Sequence, residues 1–345
     1  MENIINILKK IRKHHLLRKS YSGGYAFVGI GNHSLHNLYP VLHYLNVPLQ
    51  YIVTKSQSTA NLINKNEASV VGTTDLERVL ADPAINGVFI CTHPDSHYEL
   101  VNKALSYKKN VFVEKPPCTN TEELEKLITA EKNAGKTVLV GLQKRYSACV
   151  DILKKEISIP DVISYNYRFV VGSYPDGDPY WDLFIHPVDL IAFIFGRVQS
   201  FSVVKTSHSK GEVSVFVQIQ HEKIVGSVEM STQYAWNCPE EHLIINTSKG
   251  VYRMTNHQLL DFQPASGTLF SLPKEKIFSS VPQTKHLFNG NNFLPVIENN
   301  QLMAQGFYSE LKTFVDICEN KKNENRSSLT SLIPTFDLLS KIKKQ

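Results

Sequence analysis

Between residues 25 and 141 short apolar runs alternate with helical patterns, and no other feature limits the fold of this chain so strongly. Tyr25–Ile30, Leu49–Thr54, Ser69–Val71, Asn86–Cys91, Asn110–Val113 and Thr137–Gly141 read as buried strands. Helical patterns fill the gaps at about Ser34–Leu45, up to about Lys65, and over Leu76–Ala81, Ser96–Tyr107 and Thr121–Ala134. Thr74-Asp75 caps one of these helices, and Gly135 stands where the last should stop. Strands joined by crossover helices run parallel, because each helix carries the chain back to the edge it left. Residues 23–145 are therefore expected to form a doubly wound parallel sheet, entered through the hinge Ser22-Gly23-Gly24.

Past residue 160 the texture changes. Asp161–Val170, Arg197–Thr206, Glu212–Gln220, Lys223–Ser231, His242–Asn246, Gly250–Met254 and Gln258–Phe262 read as strands joined by turns. Val213, Val215, Val217 and Ile219 share one face of the third. A helix near Leu183–Phe195 interrupts them, residues 265–303 read as loop-rich, and Gly306–Glu319 and Leu329–Lys344 are helical. Residues 146–345, C-terminal helices included, are expected to form an α+β domain with a mostly antiparallel open sheet. The fold class is thus α/β, with a Rossmann-type domain followed by this second domain, and 345 residues suffice for two cores.

Charge sharpens the picture. The net charge is +5, but Lys9, Lys10, Arg12, Lys13, Arg18 and Lys19 against Glu2 supply that excess within residues 1–22. The remaining chain is near neutral, which gives no support to nucleic-acid binding. The leader reads as a basic amphipathic helix with Ile4, Leu8 and Ile11 on one side. Weak contact with an anionic membrane surface and docking on protein both stay open. No apolar run approaches the roughly 18–20 residues of a membrane span. Five scattered cysteines without a C-x-x-C pair argue against disulfides and a zinc ribbon, and favour a reducing, cytoplasmic setting, peripheral to a membrane if the leader binds one.

The candidate chemistry clusters at the ends of the predicted parallel strands. Gly29-Ile30-Gly31-Asn32-His33-Ser34 follows the first strand, and two glycines there let a pyrophosphate approach the backbone at a helix start. Ser34 stands where a third glycine is usual, and a plain βα turn is the alternative reading. The second strand ends Thr54-Lys55-Ser56 with no acid to accept from a ribose 2′-hydroxyl. A cation and two hydroxyls suit a 2′-phosphate, which favours NADP(H) with NAD(H) as the alternative. Thr92-His93-Pro94-Asp95-Ser96-His97 and Glu114-Lys115-Pro116-Pro117 follow the fourth and fifth strands. Pro94 between His93 and His97 makes a metal pair poor geometry, so no metal is expected.

These segments, with Gly141 through Gln143, Arg145 and Asp182-x-x-x-His186-x-x-Asp189, resemble the Gfo/Idh/MocA oxidoreductases from about residue 24 to the C-terminus. The resemblance implies NAD(P)-linked hydride transfer at a hydroxyl-bearing carbon of a sugar, polyol or nucleotide sugar. It also implies a homodimer or homotetramer built through the open sheet. By the same resemblance Lys115 lies beside the nicotinamide, Asp182 and His186 face the substrate, and Asp189 is structural. Gln143 then reaches the nicotinamide end and Arg145 lines the cleft beyond it. His186, oriented by Asp182, is expected to act as base with Lys115 stabilising an alkoxide, and the exchanged assignment stays open. Pro187 requires the helix to begin shortly before it. Tyr165, Tyr167, Arg168, Tyr174, Tyr180 and Trp181 are candidate walls of a sugar pocket, with Arg168 and Tyr180 the favoured pair. Ser34 and the Asp176–Trp181 run depart from the family pattern and keep a non-catalytic dinucleotide- or sugar-binding regulator open as the alternative.

Overall fold

The computed structural model describes residues 4–10, 21–175, 177–207, 212–278, 283–290 and 300–345. Six strands form the first sheet: β1 (Gly24–Val28), β2 (Leu49–Val53), β3 (Val71–Thr73), β4 (Ile85–Ile90), β5 (Asn110–Glu114) and β6 (Val138–Gly141). All are parallel, in the order β3-β2-β1-β4-β5-β6, so the chain winds outward in both directions from β1. Side chains alternate between faces along each strand. Tyr25, Phe27, Phe89, Phe112 and Leu139 enter one buried layer, while Ala26, Val28, Val88, Ile90, Val111, Val113, Val138 and Val140 enter the other.

The second sheet contains β7 (Val162–Gly172), β8 (Ser200–Ser207), β9 (Val213–Gln220), β10 (Val225–Tyr234), β11 (Glu240–Thr247), β12 (Gly250–Thr255), β13 (Leu259–Pro264) and β16 (Lys285–Asn289). A small separate hairpin, β14 (Thr268–Leu269) and β15 (Leu272–Pro273), lies between the last two. The sheet order is β16-β13-β12-β11-β7-β10-β9-β8, antiparallel except where β7 meets β10. Its inner face packs on the helices Ala148–Glu156 and Ile185–Phe195 through Tyr165, Tyr167, Val215, Val217, Met230 and Leu243. The outer face carries the cross-strand row Val204, Phe216, Glu229 and Arg168.

Several elements escaped the sequence reading, among them helix Ala148–Glu156 and the strands β14, β15 and β16. Helix Ala148–Glu156 is short, and its start is set by Ser147, whose hydroxyl accepts the Val150 N–H at 3.3 Å. Strand β16 emerges within residues 265–303, read as loop, because its pairing partner β13 rather than its own pattern holds it.

The C-terminal helices, grouped by sequence with residues 146–345, also pack on the first sheet. Leu311, Phe314 and Val315 of helix Phe307–Cys318 join the layer of Phe89 and Phe112. Phe314 meets Phe89 edge-on at 5.0 Å between ring centres, and truncating such a ring costs about 3–5 kcal/mol. Leu329, Leu332 and Phe336 join the opposite layer. Helix Ile333–Lys344 also contacts the helix Ile185–Phe195, so the chain's end ties the two sheets together.

Residues 4–10 are helical, with Ile4, Ile5, Ile7 and Leu8 exposed; Ile11 and the basic residues beyond Lys10 that the sequence reading used lie outside the described residues. Among the described residues no helix is long and apolar enough to cross a membrane. The five cysteines are free: Cys118, Cys149 and Cys318 are buried, Cys91 is half-buried and Cys238 exposed.

Candidate active site

The parallel sheet presents its C-terminal edge to the start of helix Ile185–Phe195, and a cleft of about 660 Å³ lies between them. Gly29, Gly31, Asn32, His33, Ser34, Thr92, His93, Pro94, His97, Glu114, Lys115, Gln143, Asp182 and His186, all singled out from the sequence, line it together. Gly29 holds φ of 86°, and a Cβ there would sit 2.7 Å from the Cys91 carbonyl oxygen. Only glycine fits that turn. Nothing lies within 4 Å of a Cβ built on Gly31, a cleft-lining residue, so the turn leaves an open cradle there. Ser34, in place of the third glycine, braces the turn: its hydroxyl accepts the Gly31 N–H at 2.9 Å and donates to the Gly31 carbonyl at 3.0 Å.

The loops after β4 and β5 are tied to each other by His97. Its Nδ1 lies 2.7 Å from the Pro116 carbonyl and its Nε2 3.0 Å from that of Thr92. Burial pushes its pKa down. His97 therefore shapes the cleft wall, while His93 stays on the exposed rim. Among the described residues no group of three metal-ligating side chains occurs.

Lys115 extends from the end of β5 and donates from Nζ to the main-chain carbonyl of Asp182. Burial holds its pKa below the ordinary lysine value, against the raising influence of Glu114 and Asp182. His186 stands in the first turn of its helix, with Pro187 behind it as the sequence required. Burial and the neighbouring cations Lys115 and Lys144 push its pKa well below the usual histidine range. The imidazole is thus neutral at pH 7, the form that accepts a proton. Its Nδ1 is buried and has no hydrogen-bond partner among the described residues. Asp182 does not orient it. The Asp182 carboxylate instead accepts the Asp178 N–H at 3.0 Å, because the preceding loop folds back over the helix start.

Behind the cleft lies a buried polar cluster that the sequence reading missed. The Glu241 carboxylate accepts from Lys144 Nζ and the Tyr167 hydroxyl and lies 3.1 Å from His257 Nε2, while His257 Nδ1 meets the Ser147 hydroxyl at 2.8 Å. These groups come from four separate segments, and no local spacing signals their meeting. Glu310 is also fully buried, with neither carboxyl oxygen hydrogen-bonded among the described residues. Burial, reinforced by the negative charge of Glu114, pushes its pKa well up. A raised carboxyl contributes stability that is complete below its unfolded value of about 4.3 and fades as pH climbs toward the folded value. Glu310→Gln abolishes that titration, so its melting temperature relative to wild type is expected to rise from pH 5 to pH 8. Melting curves at the two pH values check this, and a constant difference would mean that Glu310 is ionised.

The structure corrects three substrate-binding expectations. Arg145 is buried and does not line the cleft; Nε and Nη2 pair with both oxygens of Asp189, and Nη1 donates to the Arg326 carbonyl and the Ser331 hydroxyl. Arg168 lies on the outer face of the second sheet, paired with Glu229 and Glu240, because residue parity on β7 points it away from the core. Tyr180 packs edge-on against Phe184 at 5.5 Å, with Lys205 over its ring. Of the other aromatic candidates, Tyr174 lines the cleft. Tyr165 and Tyr167 belong to the core, and Trp181 packs on Phe336. Leu183, Ile30 and Cys91 also line the cleft and carried no sequence signal.

Thr54, Lys55 and Ser56 sit at the end of β2, outside the residues lining the main cleft. The Thr54 hydroxyl donates to the Ser56 carbonyl at 2.9 Å, and the Ser56 hydroxyl caps helix Gln57–Asn66. Lys55 is exposed, and no acid replaces it at this strand end.

Residues 24–142 match the model of the oxidoreductase family with an NAD-binding Rossmann fold, Gfo/Idh/MocA. That segment, about a third of the chain, is similar to the family's NAD-binding part. Its relatives include an uncharacterized oxidoreductase, YhhX, of Escherichia coli, 36% identical over 137 residues. That match covers 36% of this chain and 39% of YhhX, so the chain spans about two fifths of that curated relative's length. The fold extends further than the sequence match. A dehydrogenase from Chromobacterium violaceum superposes with a TM-score of 0.80 at 18% identity, covering 94% of this chain and 95% of that one. A levoglucosan dehydrogenase solved with NADH and levoglucosan gives 0.74 at 16% identity, covering 94% and 98%.

Proposed function

We propose that this protein is an NAD(P)-dependent dehydrogenase or reductase of the Gfo/Idh/MocA type, acting on a CH–OH group of a sugar, polyol or nucleotide sugar. The observation that carries the reading is the meeting of Lys115, from the first sheet, with neutral His186, from the second unit, in the cleft that begins at the glycine turn. A binding protein has no need of such an acid–base pair. The levoglucosan dehydrogenase of like fold supports the sugar class.

The cradle at Gly31 and the turn at Gly29 fit a pyrophosphate, and Gln143 and Lys115 line the same cleft. A nicotinamide held there supplies the hydride acceptor or donor. In the oxidation direction the substrate C–H bond gives up its electron pair as hydride while the hydroxyl proton passes to an imidazole nitrogen of His186. Lys115 Nζ, a donor already aimed across the cleft, steadies the developing alkoxide. Reduction runs the same steps backwards, with His186 returning the proton.

For the cofactor we infer a preference for NADP(H), because Lys55 stands where an acid would repel a 2′-phosphate. Thermal stabilisation of the purified chain by NADP⁺ and NAD⁺ in parallel, followed by sugars, polyols and nucleotide sugars, tests the whole reading. Lys55→Glu is expected to weaken NADP⁺ by about 10-fold or more while changing NAD⁺ by less than about 3-fold. Tighter binding of NAD⁺ than NADP⁺ to wild type would reverse the cofactor assignment. We assign self-association to the outer face of the second sheet, where Val204 and Phe216 are exposed side by side.

A further inference from the structure

We propose that His33 is a positioning residue that joins the dinucleotide turn to the Lys115 segment by holding the Glu114 carboxylate. The inference rests on the reading of the cleft as a dinucleotide site. His33 is the last residue of the turn before Ser34, and its side chain is about half exposed at 53%. Both ring nitrogens are engaged: Nδ1 lies 3.1 Å from the Asn37 side-chain amide, and Nε2 lies 3.5 Å from Glu114 Oε1. An imidazole that accepts at Nδ1 carries its proton on Nε2, the tautomer that points a donor at the carboxylate. The ring also rests near Phe307, at 6.0 Å between centres, which limits its swing.

Glu114 is gripped from the other side as well, its Oε2 accepting the main-chain N–H of Lys115 at 3.2 Å. The carboxylate lies against Gly141, where a Cβ would stand 3.0 Å from Oε2, so it has little room to move elsewhere. Its side chain is only 11% exposed. Burial pushes the Glu114 carboxyl up, but the His33 contact and the charge of Lys115 outweigh that and hold it below the usual range. A buried carboxylate stripped of one of its few partners is costly, and it relaxes by moving. Here the chain that moves with it is the one carrying Lys115. Dinucleotide binding at the turn should therefore depend on Glu114, a cleft-lining residue held by protein groups on two sides.

The test uses the full chain and NADPH, with binding read from the fluorescence of the reduced nicotinamide. Wild type, His33→Ala, His33→Gln, Glu114→Gln and the double variant His33→Ala/Glu114→Gln are compared. The His33→Ala Kd should rise by about 10-fold or more, the size expected for a lost contact to a charged group. His33→Gln keeps a donor for Glu114 and should recover to within about 3-fold of wild type. The double variant should be no weaker than His33→Ala, since the two residues act as one connection. Acetylation of Lys115 by acetic anhydride, followed by mass spectrometry, should quicken in His33→Ala and not in His33→Gln. Unchanged NADPH affinity in His33→Ala, or effects of His33→Ala and Glu114→Gln that simply add, would overturn the proposal. If His33→Ala does not fold, His33→Gln set beside Glu114→Gln still decides: equal weakening by both refutes the positioning role. Failure of wild type to bind either NADPH or NADH overturns the dinucleotide reading itself, and this inference with it.

Discussion

Replacing His186 by Gln is expected to lower turnover about 10²–10⁴-fold, the usual contribution of a positioned acid–base group, while dinucleotide affinity changes little. The imidazole is neutral because burial, Lys115 and Lys144 all oppose its protonation. It therefore presents an unprotonated ring nitrogen at neutral pH, which glutamine does not. Steady-state rates on the best substrate from the panel, set beside NADPH titrations, separate loss of chemistry from loss of binding. Lys115→Met provides the contrast. Its loss removes a donor from the cleft wall and a tie to the Asp182 carbonyl, so both turnover and substrate binding should suffer. Near-wild-type turnover in both variants would refute the roles given to His186 and Lys115, whereas no turnover by wild type across the panel would favour a binding protein.

Arg145→Met should be the most destabilising single change outside the aromatic core, at about 3–5 kcal/mol. The guanidinium meets both oxygens of a buried Asp189, and truncation leaves that charge with the Thr335 hydroxyl as its remaining side-chain partner at 2.9 Å. The same side chain bonds the Arg326 carbonyl and the Ser331 hydroxyl, so it fastens the C-terminal segment to the helix that begins beside His186. Denaturant midpoints measure the loss. The double variant Arg145→Met/Asp189→Leu removes both charges and is expected to regain much of it, because a buried pair replaced by apolar groups is often close to neutral. No regain would place the cost in the Arg326 and Ser331 bonds instead.

The parallel sheet was readable from local pattern. Helices Leu76–Ala81 and Thr121–Ala134 match their expected bounds, and Gly135 closes the second with φ of 61°. All six strands lie within two residues of their expected ends, and β3 is shifted by two residues at both. The turn, Glu114-Lys115, Gln143 and His186 were readable too. Each sits at the end of a parallel strand or the start of a helix, and that edge is where such sheets gather ligands.

Arg145, Arg168 and Tyr180 were not readable in the same way. An arginine that grips a ligand and one that grips a buried aspartate have the same local sequence signal. Arg145 is decided by Asp189, and Arg168 by which face of β7 is inward. The missed cluster around Glu241 has the same origin, since Lys144, Tyr167 and His257 reach it across gaps of 16 to 97 residues.

By itself the sequence determined the parallel sheet, the glycine turn, and the two groups that could move a proton, Lys115 and His186. The tertiary structure alone decided that these two share one cleft, that Asp182 serves the loop rather than the histidine, and that His33 reaches Glu114. The reason is physical: period and capping act over a few residues, whereas burial, charge pairing and the aim of a side chain depend on partners that only the folded chain brings together.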